Sequence, residues 1–383
     1  MGSEIRIIHV GDFSLENKKT LSNVEVAVQT HGTLNANGDN AVLVFHALSG
    51  SAHIAGFNSE FSKTSKFWSN ECRIGWWDNF VGQGKTIDTQ KKFVICQNLL
   101  GGCYGTTGPC SKNPATKKPY GSSFPDFSLK DAARLQKIVL EKIGVKKLDC
   151  IIGSSLGGHV ALEFALEYPD FAKKAILIGT SARITFLNRL HCLEQIFAIE
   201  NDPNYCNGDY YLAEPPTKGL ALARMIAHKT YVDIDAIAER ARKETVLPND
   251  YFYNYKISHF IESYMYHQGK KFTERFDANT YLAFLKAILS FDPVKSKGGP
   301  GQKIFSGLCK MDFLVVSISS DVCYYPEEQE ELASQLRGAG VRCDHLAVDS
   351  GKGHDSFLLE PEKYGFINDF LEQKEFAIES QRR

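Results

Sequence analysis

Short apolar runs alternate along this chain with stretches of helical spacing. Val24–Val28, Ala41–His46, Lys92–Leu99, Ala172–Ile178, Phe313–Ser319 and Asp344–Val348 read as strands. The run from Leu148 leads directly into Gly153 and reads as another. Between them, Leu129–Ile143 has helical spacing, with Ser128 and Asp131 forming a capping box at its start. Further helices are expected from beyond Gly158 to about Tyr168, over Pro326–Leu336, and from about Ser356 to Lys374. Strands alternating with helices, and apolar on both faces, predict an α/β fold with a mostly parallel sheet flanked by helices.

Residues 183–294 break this rhythm. They contain no strand run, only helical patterns around Gly219–His228, Ile234–Lys243, Ile257–Gln268 and Thr280–Ser290. The expectation is a core of residues 1–182 and 295–383 interrupted by a helical cap, or lid, at 183–294. Residues 295–302 would be the polar, glycine-rich return to the sheet.

Composition narrows the function classes. The chain has 383 residues, long for one simple core, with 43% hydrophobic and 23% charged residues. A net charge of −1 gives no basic footprint for nucleic acid or an anionic membrane. No apolar run approaches a membrane span, and the N-terminus lacks a signal-peptide layout, so a cytoplasmic enzyme is expected. The ten cysteines show neither a C-x-x-C pair nor ligand spacing, so neither disulfides nor a metal site are expected. No nucleotide-binding fingerprint appears, and no bound cofactor is expected.

Chemistry concentrates at Gly153-Ser154-Ser155-Leu156-Gly157, the G-x-S-x-G pattern in strand–turn–helix context. Serine needs a base to take its proton, and that base needs an acid to fix its tautomer. In this architecture the chain order is serine, acid, histidine. Asp321 stands at the end of the Phe313–Ser319 strand, and His354 lies in a glycine-rich loop after the next one. Asp349 is the rival acid. The oxyanion donors expected are the backbone N–H groups of Leu156 and of Leu48, in the loop after Ala41–His46.

Longer stretches carry a resemblance. They are His46–Gly56, Gly75–Gly82, Asn98–Pro109, Asn113-Pro114 with Pro119–Gly121, Leu222–His228, Arg275–Asn279 and Gly353–Leu358. In them the sequence resembles the homoserine O-acetyltransferase family, the α/β-hydrolase-fold acyltransferases of methionine biosynthesis. The resemblance implies transfer of an acetyl group from acetyl-CoA, a co-substrate, to the hydroxyl of L-homoserine through an acylated Ser155. It implies that Arg224 holds the amino-acid carboxylate, with Tyr231 as its partner, and that Asp355 receives the ammonium. It also implies a homodimer through the cap. The chain departs from the family's usual Gly-Gly-Ser-Met-Gly-Gly-Met-Gln, reading Gly153-Ser-Ser-Leu-Gly-Gly-His-Val160. Serine or deacetylcephalosporin as acceptor, succinyl-CoA as donor, and a hydrolase with the same triad stay open.

Overall fold

The computed structural model describes residues 4–243, 255–293 and 301–373. Its main sheet has eight strands: β1 (Arg6–Ser14), β2 (Thr20–His31), β3 (Ala41–Phe45), β6 (Phe93–Gln97), β7 (Leu148–Ser154), β8 (Ala172–Ile178), β9 (Asp312–Ile318) and β10 (Cys343–Val348). Two short strands, β4 (Val81–Gly82) and β5 (Ile87–Asp88), pair separately. The spatial order is β1-β2-β6-β3-β7-β8-β9-β10. β1, β2 and β6 pair antiparallel, and every pairing from β6 to β10 is parallel.

The period-2 geometry of strands explains the two cores. Leu43 and Phe45 join Ile151, Leu177 and Val315 on one face of the sheet. Val42 and Val44 join Cys150, Ile152, Ile176 and Val316 on the other. Strands buried on both faces read as unbroken apolar runs, which is why they were legible. Helices α1 (Leu129–Lys142) and α2 (Leu156–Glu167) cover the first face. The capping box forms as expected: Ser128 Oγ accepts the Asp131 N–H at 3.1 Å, and Asp131 accepts the Ser128 N–H at 3.1 Å.

Between β8 and β9 the described residues include α3 (Phe186–Glu200), α4 (Thr217–Tyr231), α5 (Ile234–Lys243), α6 (Phe260–Thr273) and α7 (Ala278–Leu289), with a further short helix at Gly301–Phe305. The expected boundary at 294/295 and residues 295–300 of the polar return lie outside the described residues. Helix α8 (Pro326–Gly338) then links β9 to β10.

Some main elements differ from expectation. β1 and α3 were not anticipated, and the final helix is broken. It divides into Ser356–Leu359, a 3₁₀ turn at Pro361–Tyr364 and Phe366–Leu371. Pro361 has no N–H to continue a helix, so the break falls there; the expected end, Lys374, lies outside the described residues. All ten cysteines are free. Among the described residues no helix is long and apolar enough to cross a membrane.

Candidate active site

Ser155 joins β7 to α2 with φ 55° and ψ −127°, a left-handed strain uncommon for any residue with a side chain. Its flanking glycines are required by space. A Cβ on Gly153 would lie 2.2 Å from the Gly157 carbonyl oxygen, and one on Gly157 would lie 2.2 Å from that of Phe45. The turn is therefore squeezed between two backbones. The Ser155 N–H is anchored on the Ile178 carbonyl at 3.0 Å, at the end of the neighbouring strand β8. Ser154 belongs to β7 and is the more deeply buried of the two.

Asp321 and His354 extend from the loops after β9 and β10, adjacent parallel strands. Both are buried, and His354 Nδ1 lies 2.6 Å from Asp321 Oδ2. The other oxygen of Asp321 accepts the N–H groups of Cys323 at 2.8 Å and Tyr324 at 2.9 Å. These bonds fix the carboxylate, and its bond to Nδ1 leaves His354 Nε2 as the free ring nitrogen. Nε2 is buried and has no hydrogen-bond partner among the described residues. Burial depresses the His354 pKa, but the Asp321 charge and hydrogen bond outweigh it, and the net shift is upward. Space for the pair comes from Gly179, φ 53°, where a Cβ would sit 3.1 Å from the His354 ring and 3.3 Å from Asp321 Oδ2. Nothing in the sequence pattern marked Gly179. Asp349 is exposed and accepts the Ser319 hydroxyl at 3.2 Å, so the structure pairs Asp321 with the histidine.

Leu156 is the first residue of α2, where N–H groups have no partner within the helix. Leu48 lies in the tight turn between Ala47 and Gly50, closed by a 2.9 Å backbone bond. His46 ties this turn down. Its Nδ1–H donates to the Ala47 carbonyl at 2.8 Å, and its Nε2 accepts the Leu99 N–H at 3.0 Å. Burial pushes its pKa down to about 4, so it is neutral and can act as both donor and acceptor.

The helical insertion meets these loops directly. A Cβ on Gly353 would lie 2.6 Å from the Asp233 nitrogen, so the His354 loop presses on the end of α4. This contact brings the Tyr231 ring to 6.0 Å from the His354 ring. The Arg224 guanidinium, two turns back along α4, lies 5.2 Å from the Tyr231 ring and 5.0 Å from that of Phe272. Asp355 adjoins His354. Burial pushes its carboxyl above the usual range, against the pull of His354, Arg224 and Arg240. Arg240, on α5, was not singled out by any sequence signal. The Arg275 guanidinium donates to the Ser49 carbonyl at 3.2 Å, strapping the insertion to the Leu48 loop. His159, one turn after Ser155, is buried with its ring 4.5 Å from Phe291 and 5.3 Å from Tyr324. Burial first, then the His354 charge, lowers its pKa to about 3.

Residues 40–361 match the family described as alpha/beta hydrolase fold. The chain is 42% identical over 361 residues to a homoserine O-acetyltransferase of Methanococcus vannielii, covering 94% of this chain and 71% of the relative. It is 39% identical over 354 residues to a homoserine O-succinyltransferase of Bordetella pertussis, covering 91% and 83%. Among solved structures, esterase E22 superposes with a TM-score of 0.85 at 26% identity, covering 96% of this chain and 99% of that one. Homoserine O-acetyltransferase from Bacillus anthracis gives 0.84 at 25%, covering 98% and 99%.

Proposed function

Because the chain belongs to the homoserine O-acetyltransferase family of the alpha/beta hydrolase fold, we propose that it transfers an acetyl group from acetyl-CoA to the hydroxyl of L-homoserine, in methionine biosynthesis. The observation that carries the chemistry is His354, held at Nδ1 by Asp321 with Nε2 unpartnered. In the first half-reaction Ser155 Oγ attacks the thioester carbonyl while His354 Nε2 takes the hydroxyl proton. Asp321 stabilises the imidazolium, and the N–H groups of Leu48 and Leu156 stabilise the oxyanion. The C–S bond breaks, the CoA thiolate takes the proton from His354, and the acetyl group remains on Ser155. In the second half-reaction His354 deprotonates the homoserine hydroxyl, which attacks the acetyl ester. Collapse releases O-acetylhomoserine and returns the proton to Ser155.

Acceptor binding belongs to Arg224, Tyr231 and Asp355. A guanidinium held between ring faces keeps its planar fork for a carboxylate. An arriving ammonium would stabilise the ionised form of Asp355 that burial disfavours. Residues 183–294 act as a cap on the core of 1–182 and 295–383. No metal or bound cofactor takes part, and the enzyme works in the cytoplasm.

A homodimer through the cap is supported by α3. Phe186 (86% exposed), Leu190, Leu193 and Phe197 lie on one face and are exposed. A second reading, an esterase, is favoured by the likeness to esterase E22. Steady-state assays of acetyl-CoA and succinyl-CoA against L-homoserine and L-serine test the proposal. The expected result is turnover with acetyl-CoA that depends on L-homoserine. CoA release at the same rate without any amino acid would overturn it in favour of the esterase.

A further inference from the structure

The loop that carries His354 is tied at both ends to one carboxylate. Glu360 is buried just beyond the short helix Ser356–Leu359. Its Oε2 accepts the Ser356 hydroxyl at 2.7 Å and, through a short hydrogen bond, the Ser350 hydroxyl. Ser350 precedes His354 and Ser356 follows it, and all three are buried. Ser350 Oγ in turn accepts the Lys352 N–H at 3.0 Å, and the Tyr364 hydroxyl donates to Ser356 Oγ at 3.1 Å. Glu360 Oε1 pairs with Lys363 Nζ at 3.4 Å. On its other side the loop is pinned to the acid. The Gly353 N–H donates to Ser320 Oγ at 2.9 Å, the Ser320 hydroxyl donates to the Ser350 carbonyl, and Ser320 directly precedes Asp321.

We propose that Glu360 is a positioning residue that presets the His354–Asp321 pair by clamping the Ser350 and Ser356 hydroxyls. The inference rests on the serine chemistry proposed above. The physical need is clear. Gly351 and Gly353 give this loop unusual backbone freedom. The 2.6 Å contact between His354 and Asp321 tolerates little misplacement. Hydrogen bonds to a carboxylate are roughly twice as strong as neutral ones. A single charged oxygen shared by two hydroxyls therefore closes the loop more tightly than an amide of the same shape.

The test compares wild type, Glu360→Gln and Lys363→Ala. The probe is a fluorophosphonate, which reports activation of Ser155 without any acyl donor or acceptor. Glu360→Gln should slow labelling roughly 10–100-fold, by analogy with the loss of an outer-shell partner at a metal-ligating histidine. It should also move or broaden the far-downfield proton resonance of the His354 Nδ1–H. Lys363→Ala leaves Oε2 and both serines in place and should label within about twofold of wild type. Should Glu360→Gln fail to fold, Ser350→Ala and Ser356→Ala each remove one arm of the clamp and should each slow labelling. Wild-type labelling and an unchanged resonance in folded Glu360→Gln, or wild-type rates in both serine variants, would overturn the proposal. A wild-type protein that resists the probe would instead overturn the Ser155 reading.

Discussion

The two sides of the candidate site are held in different ways. On the sheet edge, Ser155 and Asp321 are locked by backbone. Ser155 is squeezed by Gly153 and Gly157, and Asp321 accepts two N–H groups before it meets His354. On the helical insertion, Arg224 and Tyr231 are placed by ring contacts and by the pressure of Gly353 on the end of α4. Closely packed backbone leaves little room to shift, whereas ring contacts tolerate sliding. The core side suits bond-making, which punishes misplacement. The insertion suits recognition, where a related fold can exchange one acceptor for another.

The largest expected effects break the core side. Ser155→Ala should lower turnover on the order of 10⁶-fold, as loss of a triad serine does elsewhere. It should also abolish the acetyl adduct that intact-protein mass spectrometry would find on wild type mixed with acetyl-CoA alone. Asp321→Asn should keep the fold and lower turnover on the order of 10⁴-fold, because the imidazole would take the wrong tautomer. Asp349→Asn should stay near wild type in the same assay, since Asp349 is exposed and its carboxylate accepts the Ser319 hydroxyl rather than a histidine. The reverse result for the two aspartates would reassign the acid.

The insertion side should break more selectively. Arg224→Lys keeps the charge and loses the planar fork, which is not a conservative change at a bidentate site. Rapid mixing should show acetylation of Ser155 nearly intact and transfer to homoserine impaired. Equal slowing of both half-reactions would remove Arg224 from the acceptor site. Further out, Phe197→Asp on the exposed face of α3 should convert a dimer to monomers by light scattering while leaving acylation of Ser155 close to wild type. An unchanged mass would send the dimer contact elsewhere.

The same contrast explains what the sequence could tell. The core was legible because local chain geometry demands particular residues. The strained elbow needs its glycines, and a strand buried on both faces needs an unbroken apolar run. Asp321 and His354 followed from chain order. α3 was missed for the opposite reason. Its apolar residues Phe186, Leu190, Leu193 and Phe197 are exposed, while its buried face mixes Asn188 and Gln195 with Cys192 and Ile199, so no single apolar stripe marks the inward side. Gly179 and Arg240 meet partners far away in sequence, which no spacing rule connects. Glu360 meets Ser350 and Ser356 close by in sequence, but no motif marks those hydroxyls as its partners.

The smallest expected effect sharpens the comparison, because it places a pH response beneath the core side. Glu328, on α8, has its pKa raised to about 7, first by burial and then by the nearby Asp321 charge, against its bonds to Tyr325 and Ser181. Its Oε2 has no hydrogen-bond partner among the described residues. The folded protein therefore keeps a proton that the unfolded chain, with an ordinary glutamate near 4.5, has already released. Between those two values the native state binds more protons, so stability falls as pH rises, and the loss is complete above about 7. Glu328→Gln removes the titration. The variant should melt at a higher temperature than wild type at pH 8, with the gap shrinking towards pH 5. A constant gap across that range would mean that Glu328 is ionised throughout and its burial is relieved by solvent. A gap that instead widened towards pH 5 would mean that the charged form is the stabilising one.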